Sequence, residues 1–121
     1  MARAFKTPAL AAAAAVDDKK GEDIVLLNVA AVSPLTEYLL LVTALSAPHL
    51  ESLEKAIKDA LELKGLTCLH RARPKSDHWR VLDYGGLMAH IMTAEARAFY
   101  SLEKLFDRAK RVNLGKAAAH A

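Results

Sequence analysis

The sequence predicts one small α/β domain: a mixed five-stranded sheet with flanking helices. Three observations carry that expectation. Residues 24–32 and 38–45 are two nearly continuous apolar runs, the pattern of strands covered on both faces. Residues 48–64 form a strongly amphipathic helical stretch. Residues 79–83 and 87–92 read as two strands joined tightly through Tyr84-Gly85-Gly86. At 121 residues the chain has room for one domain.

The elements follow in order. An Ala-rich segment over the first residues predicts a helix ending near Gly21. Its Arg3 and Lys6, with no acid among the first sixteen residues, faintly suggest a transit peptide, but arginine and serine are too sparse. The two apolar runs come next, separated by a Ser33-Pro34 turn. Together, residues 24–45 are long enough to span a bilayer. Asn28, Ser33, Pro34, Thr36 and Glu37 fall in the middle, where a carboxylate costs about 2.5–3.5 kcal/mol, so no membrane segment is expected.

In the amphipathic helix Leu50, Leu53, Ile57, Ala60 and Leu61 recur at helical spacing. Ser46 suits the N-cap, Pro48 the first turn and Gly65 a left-handed end. Glu51 with Lys55, and Glu54 with Lys58, are spaced to pair on its outer side. A short strand over 66–70 and a polar loop over 71–77 lead to the strand pair. A last helix, starting after Thr93, is expected to pack Phe99, Leu102 and Phe106 inward. Residues 1–20 are taken as a helical segment, 21–107 as the domain and 108–121 as a basic, flexible tail with Arg108, Lys110, Arg111 and Lys116.

Catalytic and metal chemistry find little footing. Cys68 is the only cysteine, which excludes a disulfide framework and a cysteine metal cage and suits a reducing compartment. His49, His70, His78, His90 and His120 form no H-x-x-x-H or H-E-x-x-H pattern. No serine sits in a G-x-S-x-G elbow, and Gly85-Gly86 lacks the rest of a phosphate-binding loop. The net charge of +3 and a pI near 9.1 are only modestly basic. The expectation is a protein that is not an enzyme and uses no cofactor or metal.

Trp79, the only tryptophan, opens a strand after a polar loop, between His78 and Arg80. It is either a core or edge aromatic or an interface anchor, since Trp, Tyr and Arg dominate binding hot spots. Asp83 and Tyr84 lie at the end of its strand. Met88, His90 and Met92 alternate onto one face of the next strand. Arg97, Tyr100 and Glu103 share one face of the last helix, which is either solvated surface or part of the same patch.

The order of these residues is more telling than their types. His78-Trp79-Arg80-Val81-Leu82-Asp83-Tyr84-Gly85, His90-Ile91-Met92, and the run from Glu95 through Arg97, Tyr100 and Glu103 to Phe106 resemble the C-terminal signature of the ribosome silencing factor (Iojap-like) family. Upstream, Lys20-Gly21-Glu22-Asp23-Ile24, Leu35-Thr36-Glu37-Tyr38, and Ser46 with His49 resemble its earlier motifs; the likeness covers residues 16–106.

That resemblance implies a sheet topology related to nucleotidyltransferases without their catalytic carboxylates. It implies a cytoplasmic protein that binds a ribosomal protein on the joining face of the large ribosomal subunit and blocks the small subunit. Translation would be repressed, or assembly intermediates guarded. On this basis the partner-binding residues are Trp79, Asp83, Tyr84, His90, Glu95, Arg97, Tyr100 and Glu103. Trp79 would fill a pocket, Asp83, Glu95 and Glu103 would face basic groups, and the rest would support or extend the patch.

The basic tail is expected to touch ribosomal RNA, and the apolar strand edges would allow a homodimer when free. The alternative is a nucleotide- or RNA-binding protein on the nucleotidyltransferase fold. Gly86, Asn28, Ala44-Leu45 and Pro48 depart from the family pattern; Gly86, for example, stands where relatives often carry an acid.

Overall fold

In the computed structural model, residues 5–33, 36–71, 77–100 and 109–112 are described, with only the backbone of 70, 71 and 100. The elements run α1 (Lys6–Asp18), β1 (Glu22–Asn28), β2 (Tyr38–Ala44), α2 (Ala47–Glu62), β3 (His70–Arg71), β4 (Trp79–Asp83), β5 (Leu87–Thr93), α3 (Ala94–Tyr100) and β6 (Lys110–Arg111). The strands form one mixed sheet in the order β3-β4-β5-β2-β1-β6.

The two apolar runs become β1 and β2, an antiparallel pair near the centre of the sheet, and β2 runs parallel to β5. All seven residues of β2 are buried, as expected of a strand covered on both faces. The tight strand pair is β4 and β5, antiparallel, with Gly85 at φ +87° in the turn, a conformation that favours glycine. The five expected strands are present, and β6 adds a two-residue strand at the edge of β1. The third strand begins later than expected, at His70, although Leu69 N already bonds to Asp83 O of β4 at 2.7 Å.

Both edge strands are two residues long and carry His70-Arg71 and Lys110-Arg111. The edges are therefore basic rather than apolar, contrary to the expectation from sequence. Short, charged edges oppose pairing with another sheet.

One sheet face is built from Ile24, Leu26, Leu40, Val42, Leu82, Ala89 and Ile91, and it is covered by α1 and α2. Helix α1 contributes Ala9, Ala12, Ala13 and Val16, small residues that let it lie close to the sheet. It connects to β1 through Gly21, where an added Cβ would stand 2.6 Å from Val42 Cγ2 and 2.9 Å from Val16 O.

Helix α2 starts as its sequence predicts: Ser46 Oγ accepts from His49 N at 3.2 Å. His49 also ties the helices together. Its Nδ1 accepts from Leu45 N at 2.8 Å and its Nε2 donates to Lys19 O at 2.8 Å. Gly65, at φ +79°, ends the helix.

Two packing expectations are corrected. Glu54 is not on the outer side of α2: it is 4% exposed and meets buried Arg80 of β4 at 2.6 Å. Arg80 points to the α2 side of the sheet by strand alternation, and a buried guanidinium needs a charged acceptor there. Phe99 does not pack inward but is 79% exposed. Helix α3 instead turns Ala96 and Arg97 to the sheet, because Arg97 bonds to groups on β1 and β2. Leu102 and Phe106 lie outside the described residues.

Candidate functional site

Strand alternation places Trp79, Val81 and Asp83 of β4 beside Met88, His90 and Met92 of β5, on the face opposite α1 and α2. Toward the sheet centre this face continues with Leu39 and Leu41, then Val25 and Leu27, which form a second apolar cluster with Val29, Met88 and Ala109. Trp79, Val81, Asp83, Met88 and His90 are each half-buried. The alternation made Met88, His90 and Met92 legible as a set; the same rule would have added Val81, which the sequence analysis did not single out.

Trp79 and His90 are diagonal neighbours: Trp79 stands opposite Met92, and His90 opposite Val81. The indole Nε1–H donates to His90 Nδ1 at 2.9 Å, and the ring centroids are 5.7 Å apart with planes at 43°. Burial pushes the imidazole pKa down to about 4, so the ring is neutral near pH 7. The pair presents an aromatic, uncharged surface in which this hydrogen bond links the two rings.

The remaining candidates take different positions. Asp83 Oδ1 accepts from Gly85 N at 2.9 Å, closing the β4–β5 turn, and its carbonyl accepts from Leu69 N at 2.7 Å. Tyr84 is buried in the core on the α1/α2 side, and burial raises its hydroxyl to a pKa of about 12. Glu95 is exposed in the first turn of α3.

Arg97 Nη1 donates to Asp23 O at 2.6 Å and to Thr43 Oγ1 at 2.9 Å, fastening α3 across β1 and β2. Asp23 sits at φ +48°, next to an irregularity in the β1–β2 ladder, so Arg97 bonds to a backbone that is already unusual. The Tyr100 side chain and Glu103 fall outside the described residues.

The structure thus brings together Trp79, His90 and Asp83 on one face and sets Glu95 at the near end of α3. Tyr84 belongs to the core, and Arg97 serves an internal bond. Among the described residues, no group of three or more His, Cys, Asp or Glu side chains is placed to hold a metal ion. No described helix is long and apolar enough to cross a membrane.

Comparison with known proteins adds an independent line. A protein-family model described as "Ribosomal silencing factor during starvation" matches residues 3–121. Ribosomal silencing factor RsfS of Bacillus subtilis is 30% identical over 103 residues, covering 85% of this chain and 87% of that protein. RsfS of Treponema pallidum is 31% identical over 101 residues, covering 82% of this chain and 89% of that protein. A crystal structure of a Chromobacterium violaceum protein, 23% identical, superposes with a TM-score of 0.81 over 93% of this chain and 97% of the other, a likeness of fold.

Proposed function

This chain belongs to the ribosomal silencing factor family, and from that premise we propose that it acts without catalysis, by occupying a surface of the large ribosomal subunit. The surface is that of a ribosomal protein on the joining face. A large subunit so occupied is withdrawn from the joining equilibrium by mass action, and translation falls with the concentration of joined ribosomes. Its place of action is the compartment that holds those ribosomes, the cytoplasm.

The observation that carries this reading is the half-buried Trp79–His90 pair, flanked by Val81 and Met88, on the sheet face away from α1 and α2. An aromatic anchor with an apolar surround is the composition of an interface hot spot. Exposed Asp77 and Glu95, with half-buried Asp83, supply negative charge nearby, which suits a basic ribosomal protein more than bare RNA. Tyr100 and Glu103 are assigned to the same contact on the family resemblance alone. Tyr84 and Arg97 contribute indirectly, one through the core and the other by anchoring α3.

Two finer assignments go with this reading. Exposed Lys110 and Arg111 on β6 contact ribosomal RNA, which makes part of the affinity salt-dependent. Helix α1 shares the core of the sheet and so acts with it as one packed unit, while β6 carries Lys110 and Arg111 on the sheet edge beside β1.

The test is subunit joining. Large and small subunits are mixed with increasing protein, and joined ribosomes are separated by gradient sedimentation. Wild-type protein should deplete them, and Trp79→Ala should require at least about tenfold more protein, the loss of about 1.4 kcal/mol or more expected of a hot-spot residue. Undiminished joining at saturating wild-type protein would refute the reading.

A further inference from the structure

The Trp79–His90 bond fixes more than the indole. An indole N–H is a donor only, so His90 Nδ1 must be the acceptor. A neutral imidazole then carries its proton on Nε2. The ring is neutral at physiological pH on geometric grounds, because a protonated Nδ1 could not accept from Trp79.

Among the described residues the hydrogen bond of His90 is this one, through Nδ1, which leaves Nε2–H as the ring's other polar group. His90 is half-buried, so the residue keeps some contact with solvent. Around His90 the half-buried face thus offers Trp79, Val81 and Met88, with an uncharged N–H donor set among them and Asp83 at the turn end.

We propose that His90 is a recognition donor whose Nε2–H takes a carbonyl or carboxylate oxygen of the protein that docks over Trp79. This rests on the reading of that face as the contact with a ribosomal protein.

The physical argument is one of asymmetry. Docking an apolar surface over the patch expels the water from Nε2–H, and a buried donor left unmet costs roughly 1–3 kcal/mol. A partner that places an acceptor oxygen there avoids the cost, whereas one that offers only apolar atoms does not. The donor therefore selects among apolar partners, a task that Trp79, Val81 and Met88 cannot perform. Its neutrality matters as well, since an imidazolium on this face would repel a basic partner.

The intact chain, labelled with nitrogen-15, serves the first part of the test. A long-range proton–nitrogen correlation spectrum near pH 7 should show His90 as the Nε2–H tautomer, with the Trp79 indole N–H protected from solvent exchange. An Nδ1–H tautomer, or an indole proton that exchanges as freely as in a peptide, overturns the proposal whether or not ribosomes bind.

The second part measures affinity for isolated large subunits. His90→Phe, which removes both nitrogens, should bind about tenfold more weakly than wild type, and His90→Gln, which keeps one donor and one acceptor, should stay within about threefold. His90→Met is the second variant if His90→Phe does not fold, judged by the same criteria. Wild-type binding matched by the Phe or Met variant overturns this proposal alone. A wild-type chain with the expected tautomer that binds no large subunit overturns the reading of the face beneath it.

Discussion

Arg80 shows how a single residue is committed by its neighbours. Its guanidinium is almost out of water, which by itself would lower its pKa, but hydrogen bonds to Glu54 at 2.6 Å and Glu51 at 3.2 Å more than offset this and raise it. Removing Glu54 leaves a buried cation short of its main partner. Glu54→Ala should therefore cost about 3 kcal/mol in urea unfolding, whereas the double change Arg80→Met with Glu54→Leu should cost far less.

His90 makes a second prediction at this scale. The unfolded chain takes up its imidazole proton near pH 6.5, the folded chain near 4. Between those values the unfolded state binds more protons, so acidification favours unfolding. The contribution is intact above pH 6.5 and is lost as the pH falls toward 4, by up to about 1.4 kcal/mol per pH unit. Urea midpoints across that window should show this slope in the wild type and a shallower one in His90→Gln; equal slopes would contradict the assignment.

At the scale of elements, the junction between α1 and β1 is the tightest point of the fold. Gly21 lies against Val42 and the Val16 carbonyl, and Lys20 and Asp23 on either side adopt positive φ. Gly21→Ala forces either the helix or β2 to shift and should cost about 1–3 kcal/mol by thermal unfolding. A variant as stable as wild type would mean that the junction can relax.

The elements also show what the sequence made legible. The boundaries of α2 and β4 could be read because their signals are local: Ser46 and Gly65 at the helix ends, and period-two alternation from Trp79 to Asp83. The orientation of α3 could not. Phe99 falls at core spacing with Leu102 and Phe106, but Arg97 turns the helix by bonding to Asp23, which lies 74 residues away in sequence.

The same holds for Glu54, which matches an exposed i,i+4 pattern until β4 brings Arg80 beneath it. Trp79 and His90 were each singled out by the sequence. Their bond was not, because it depends on the register of β4 against β5. Long-range partners decide such roles, and a single sequence carries no record of them.

At the scale of the whole molecule, the sheet divides its labour between its faces. One is closed by α1 and α2 and holds the larger core, including Tyr84. The other bears the Trp79–His90 pair at its β4–β5 end and the Val25, Leu27, Leu39 and Leu41 cluster at its centre, and Arg97 fastens α3 to Asp23 and Thr43. A molecule built this way presents a partly apolar surface on strands, the kind of surface that the proposed occupation of the large subunit requires. Basic residues lie at both sheet edges, away from that pair in the case of β6, so salt should weaken binding without abolishing it.

The central claim is that the Trp79 face binds the large subunit. Sedimentation of the protein with isolated large subunits, at low and at physiological salt, tests it most directly. The account predicts that wild-type protein travels with the large subunit and not the small one, and that Trp79→Ala stays at the top of the gradient. Wild-type protein that stays at the top with large subunits even at low salt, or a Trp79→Ala variant that sediments with them as fully as wild type, would contradict it.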